Sequence, residues 1–155
     1  MSETSYLTPE GHDALQKELD TLVNVRRPEL AQKLKEAVAE GDLKENANYH
    51  DTKEQQGLVE GRIQYLENLL RSAVIIDTNG KSDEVTIGST VVIREEGMDE
   101  DEEYMIVGPA EADPSSGKIS HESPIGKALI GRKKGDNIRV QTPAGKIIFK
   151  LRKIK

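Results

Sequence analysis

The chain has 155 residues, 35% of them hydrophobic and 32% charged, with 28 Asp and Glu against 22 Lys and Arg. That balance excludes a single large core and suits long solvated helices, while the absence of cysteine excludes disulfide and thiolate chemistry. No apolar run approaches the roughly 20 residues of a membrane span, and the opening MSETSYLTPE lacks the basic and apolar regions of a signal peptide, so a reducing cytoplasm is the expected location.

The first half holds all the excess negative charge. Residues 1–77 carry 9 Lys/Arg against 15 Asp/Glu, whereas residues 78–155 balance at 13 each. An acidic half repels phosphates, so strong binding to free nucleic acid is not expected. Thr8-Pro9-Glu10 reads as a helix start, with Thr8 as cap and Pro9 at the first helical position. Leu15, Leu19, Leu22, Leu30, Leu34 and Val38 then recur mostly at spacings of three and four, and Pro28 interrupts this helix. A second stretch runs from about residue 44 to 74, with Leu58, Ile63, Leu66, Leu70 and Ala73 on its apolar stripe. Two helices of nearly equal length joined by a short connection make an antiparallel coiled-coil hairpin, expected over residues 1–76. At 1.5 Å per residue the arm is roughly 45 Å long. Between Ala39 and Gln56 the only large apolar side chains are Leu43 and Tyr49, so the base is built to pack and the tip to be wet. Such a hairpin satisfies its own seam, and a monomer is expected.

After a linker at 77–84 (DTNGKSDE) the period changes. STVVIR (89–94), EYMIVG (103–108), DNIRVQT (136–142) and GKIIFKLRKI (145–154) are β-branched runs bounded by turn residues, the last two joined by TPAG. Ser123-Pro124 opens a short helix that Gly131 ends. The acidic run EEGMDEDEEY (95–104) reads as a solvated hairpin loop. The last 24 residues hold nine Lys/Arg and one Asp, either a solvated strand face or a surface for an acidic partner. The fold class is α+β: a helical arm, then a small β-rich domain at 85–155 with one short helix.

The tip, GDLKEN (41–46), admits two uses of the same carboxylates. Asp42 and Glu45 have the spacing of a capping box, with Asp42 as N-cap, Glu45 at N3 and Gly41 as the left-handed residue closing the first helix. They also suit Mg²⁺, which keeps most of its waters and takes one or two carboxylates plus substrate phosphates. Nothing else in the chain completes such a site, so a partner would have to, and the free protein would hold the ion weakly.

VRRPEL, AEGDLKENANYHDTKEQQGLVEGRI, ISHESPIGKALIG and GD…VQTPAGKIIFKL together resemble the Gre family of bacterial transcript cleavage factors, GreA-type branch, over essentially the whole chain. The resemblance implies an FKBP-like C-terminal domain that docks on the rim of RNA polymerase's secondary channel, with His121, Glu122, Ser123, Pro124 and Ile125 as the docking segment. It implies that the arm enters the channel and that Asp42 and Glu45 act catalytically by sharing a second Mg²⁺ in the polymerase active site. The polymerase would then cleave backtracked RNA and resume from a new 3′ end; the factor itself would not be an enzyme.

Asn46, Tyr49, Lys53, Arg26 and Arg27 would be RNA-proximal on this reading, with short fragments released and weak RNA contact. Val38 stands where some members have a basic residue. A related inhibitory Gre-like factor is the alternative, but the Asp-x-x-Glu tip is of the ordinary kind. His50 reads as solvated. A prolyl isomerase or chaperone needs an apolar, aromatic-lined pocket, and the second half has only Tyr104 and Phe149. A plain coiled-coil adaptor would need apolar residues at its tip.

Overall fold

The computed structural model describes residues 4–41, 44–77 and 83–155. They form two compact units, His12–Ser72 on the one hand and Met1–Gly11 with Ala73–Lys155 on the other. The helical unit is therefore, in sequence, an insertion into the other one.

In the helical unit, α1 (Pro9–Thr21) passes through a π-helical turn (Leu22–Arg26) into α2 (Arg27–Ala39), and α3 (Ala47–Arg71) returns. The interruption expected at Pro28 takes the form of that wide turn. Proline offers no N–H, and its ring collides with the carbonyl four residues earlier in a regular helix. Here the Arg27 N–H donates to the Leu22 carbonyl, five residues back, which loosens the ladder before the ring arrives.

The seam differs in three places from the one read off the periodicity, one of them Ala73, which lies past the end of α3 at Arg71 and begins a strand. Leu58 is 70% exposed and Val38 48% exposed, whereas Ala37 and Thr52 are buried. The buried row on α3 is set by Ile63 and Leu66. Leu58 is five residues from Ile63, about 140° away around the helix, so the same phase that buries Ile63 turns it outward. Near the tip the seam narrows to small residues, and Thr52 satisfies its own hydroxyl on the Asn48 carbonyl at 2.7 Å.

Polar clamps hold the helices where apolar contact is thin. Arg62 makes two hydrogen bonds to Glu18 at 2.7 and 2.9 Å, and Arg27 makes two to Glu60 at the same distances. Arg26 donates to Gln55 at 2.9 Å.

In the other unit, β1 (Ser5–Leu7) pairs in parallel with β2 (Ala73–Ile75), Leu7 opposite Ile75. A five-stranded mixed sheet has the order β5-β4-β3-β7-β6, built from β3 (Thr90–Glu95), β4 (Glu102–Val107), β5 (Lys118–Ser120), β6 (Asn137–Thr142) and β7 (Gly145–Ile154). Within this sheet β4 and β5 run parallel, and the other neighbouring pairs run antiparallel. Alternate residues Val91, Ile93, Ile138, Val140, Phe149 and Leu151 face one core, closed by Leu129 of α4 (Pro124–Leu129). The acidic run makes the β3–β4 hairpin loop, turned at Gly97 with φ +88°. Among the described residues no helix is long and apolar enough to cross a membrane.

Candidate functional site

At the arm tip, α2 ends where the Glu40 N–H falls back on the Ala37 and Val38 carbonyls. Gly41 follows with φ +122°, a conformation that costs glycine little and other residues much. Asp42 lies outside the described residues, as does Leu43; Lys44 and Glu45 follow as exposed bends.

The cap of α3 is Asn46, which corrects the capping box expected at Asp42 and Glu45. Asn46 has extended backbone angles, and its Oδ1 accepts from the Tyr49 N–H at 3.1 Å. Its Nδ2 donates to the Ala37 carbonyl at 2.6 Å, joining the start of α3 to the end of α2. Asn caps a helix about as well as Asp, and this one also ties the turn. Glu45 is thereby left outside the helix, and among the described residues its carboxylate has no hydrogen-bond or ion-pair partner.

The half-buried Tyr49 ring stands edge-on to His50, centroids 5.4 Å apart. His50 Nε2 lies 3.3 Å from the Lys44 carbonyl oxygen, so this histidine braces the turn as well as meeting solvent. Lys53 is exposed and borders a shallow cleft of about 390 Å³ with Arg27 and Leu30. Arg26 and Arg27 are engaged in the clamps to Gln55 and Glu60. The hydrogen bond with Glu60 raises the guanidinium pKa of Arg27 and lowers that of the carboxyl. Arg27 begins α2, 13 residues long, and Arg26 directly precedes it, so both stand roughly 20 Å from its tip end.

Among the described residues no three His, Asp or Glu side chains are grouped to hold a metal ion. Glu45 with Asp42 is a hard-oxygen donor pair, and that chemistry fits Mg²⁺ as far as two carboxylates can. Other ligands have to come from outside the chain.

The second candidate surface is the loop leading into α4. Ser123 Oγ accepts from the Gly126 N–H at 3.1 Å and donates to the Ser120 carbonyl at 2.7 Å, capping the helix and closing the turn at once. The Glu122 N–H donates to Ser120 Oγ at 3.0 Å. The His121 N–H donates to the Val107 carbonyl, and its ring meets Tyr6 edge-on at 5.6 Å. A Cβ at Gly126 would strike the Ser120 carbonyl, so only glycine lets the helix sit this close. Glu122 and Pro124 are left exposed on a rigid frame, while Ile125 is half-buried against the core. All five residues singled out from the sequence are thus contiguous, and Tyr6 is the neighbour that sequence spacing did not reveal.

Two family models cover the chain: "Transcription elongation factor, N-terminal" matches residues 5–75, and "Transcription elongation factor, GreA/GreB, C-term" matches residues 80–155. The transcription elongation factor GreA of Caldanaerobacter subterraneus subsp. tengcongensis is 50% identical over 156 residues, covering 100% of this chain and 99% of that protein. GreA of Streptococcus pneumoniae serotype 2 is 47% identical over 157 residues, covering 100% and 98%. Among solved structures, the GreA factor homolog 1 (Gfh1) protein of Thermus thermophilus is 31% identical, with 99% of each chain covered and a TM-score of 0.46.

Proposed function

Because this chain belongs to the GreA/GreB family of transcription elongation factors, we propose that it acts by inserting its arm into the secondary channel of bacterial RNA polymerase and stimulating cleavage of backtracked RNA. The polymerase performs the hydrolysis, and the factor supplies the missing carboxylates. A short 3′ fragment leaves and elongation resumes from the new end.

One observation carries this reading. The tip turn is closed by Gly41 and Asn46, so the Glu45 carboxylate is not spent on the fold. Asp42 and Glu45 would hold Mg²⁺ jointly with groups of the polymerase. Such an ion, when bound, polarises a phosphoryl oxygen and acidifies water. The chain's own task is to present two oxygen donors on a turn held by the Asn46 bridge to Ala37, with Tyr49 one helical turn behind to pack against the RNA end. Arg26 and Arg27 serve to keep the arm straight, and Lys53 remains an exposed cation for weak RNA contact. His121 to Ile125 form the docking edge on the channel rim. The cytoplasm is where such a polymerase works.

The test is a purified, backtracked polymerase complex with end-labelled RNA and adequate Mg²⁺. The chain is expected to shorten the RNA, and Asp42→Asn or Glu45→Gln to slow cleavage on the order of a hundredfold, about 2.7 kcal/mol of barrier. RNA of unchanged length with the unaltered chain, or full stimulation by both variants, would overturn the proposal. Binding that blocks elongation without cleavage would assign the chain to inhibition instead.

A further inference from the structure

One face of the five-stranded sheet covers the core, and the opposite face of β3, β7 and β6 is open and basic. Arg94 of β3 is the register partner of Lys150 on β7, and Lys150 in turn faces Asn137 on β6. Arg139 stands opposite Ile148 on the same side, and Arg152 follows Lys150 at the two-residue period of a strand. Direct cross-strand partners have their Cβ atoms about 5 Å apart, where like charges oppose pairing. The sheet nonetheless sets Arg94 against Lys150. These cations rim a concavity of about 320 Å³ that also takes in Ile148 and Met98 of the β3–β4 loop, the methionine 58% exposed.

The chain already supplies part of a ligand. Asp101, in the acidic loop, accepts from Arg94 Nε at 2.7 Å and lies 3.4 Å from Arg152 Nε. One carboxylate thus serves two guanidiniums at one end of the basin. Among the described residues Arg139 and Lys150 have no carboxylate partner.

We propose that this basin docks an acidic, partly apolar segment of a partner protein, with carboxylates on Arg139 and Lys150 and an apolar side chain against Met98 and Ile148. Asp101 occupies the adjoining guanidiniums and competes with the incoming segment. Charge complementarity favours a peptide over a nucleic acid in three respects. Glu95 and Glu96 line the loop side and repel a continuous phosphodiester. No aromatic side chain lines the basin for bases to stack on. The exposed methionine beside two free cations matches a segment that alternates carboxylate and apolar groups, and Arg–carboxylate pairs are strong and directional. This surface is separate from the tip chemistry, and the free chain suffices to test it.

The probe is a fluorescein-labelled peptide of four Glu-Glu-Leu repeats, titrated by anisotropy at low salt, beside a Glu-Glu-Ser version and a twelve-nucleotide oligouridylate. The full chain is expected to bind the Leu peptide more tightly than the Ser peptide. Arg139→Glu with Lys150→Glu is expected to weaken binding by about tenfold or more. Asp101→Asn is expected to strengthen it by about threefold, a gain that misfolding does not mimic. Unchanged binding in the double charge reversal, or no gain with Asp101→Asn, would overturn the proposal. Oligouridylate binding as tight as the Leu peptide, and lost in the same variant, would overturn it in favour of nucleic acid.

Discussion

The side chain of Asn46 separates what the tip needs for folding from what it offers to a partner. Asn46→Ala is expected to lower stability by about 1 kcal/mol for the lost cap, and by about 1 kcal/mol more for the lost bond to the Ala37 carbonyl, which keeps only the Glu40 N–H. Asp42→Ala, by contrast, is expected to leave the urea midpoint unchanged, since another residue caps α3. Equal losses in the two variants would return the cap to Asp42. From the sequence, Asp42–Glu45 and Asn46–Tyr49 have the same three-residue spacing, and either Asp or Asn can accept from an amide three positions on. What decides between them is where the helix begins, Ala47, and the bond back to Ala37. That bond spans the turn and has no periodic signature. The docking residues were easier to place, because Ser-Pro at a helix start states its own cap and first position.

At the level of the helices, exposed clamps add to the apolar seam of the hairpin, and acid is expected to release them. The hydrogen bonds from Arg62 and Arg27 hold the carboxyls of Glu18 and Glu60 below their ordinary 4.5. A carboxyl with a depressed folded pKa contributes stability above its unfolded pKa, and loses it as the pH falls through the folded value. Helical ellipticity followed on heating is therefore expected to show a steady midpoint from pH 7 to about 5 and a falling one below about 4.5. Glu18→Gln with Glu60→Gln is expected to start lower at pH 7 and fall less on acidification. The Glu18 clamp accounts for about half a kcal/mol at most, because both partners are well exposed and screened. Gly57 and Gly61 work in the opposite direction. Both lie inside α3 with nothing within 4 Å of an added Cβ, so Gly57→Ala with Gly61→Ala is expected to raise stability by about 1 to 2 kcal/mol in a urea titration. A loss there would mean that the cleft beside Gly57 is filled. The helices and the four long strands were legible because each repeats its period several times. The strands β1, β2 and β5 have three residues each, fewer than two periods of alternation. The identities of the clamps needed the register between helices, which no single helix carries.

Across the whole chain, a contact 103 residues apart in sequence binds the first residues to the C-terminal unit. The Glu111 carboxylate accepts from the Thr8 N–H at 2.7 Å and from its hydroxyl at 2.6 Å. Thr8 is 3% exposed, and its hydroxyl oxygen accepts from the Gly11 N–H at 3.0 Å as the cap read from the sequence. A carboxylate therefore sits at the start of α1, where the first orphan amides favour negative charge. Gly11 is what makes room: a Cβ there would run into that carboxylate. The end of the Glu111 side chain can swing away cheaply on steric grounds, but doing so strips a buried Thr8 of both bonds. Glu111→Ala is accordingly expected to lower stability by about 2 kcal/mol, and Glu111→Gln by less, since an amide oxygen still accepts. Gly11→Ala then gives the sharper test, because its sign depends on the partner. With Glu111 present it is expected to destabilise, as the carboxylate is displaced. In the Glu111→Ala background the same change meets no carboxylate and gains helix propensity, about 1 kcal/mol in the stabilising direction. Urea titrations of the four proteins close a double-mutant cycle, and a coupling well above about 0.5 kcal/mol marks contact between the sites. If Gly11→Ala had the same effect in both backgrounds, the Glu111 carboxylate would not be what fills the space beside Gly11, and the first residues would rest on the β1–β2 pairing and the Tyr6–His121 contact.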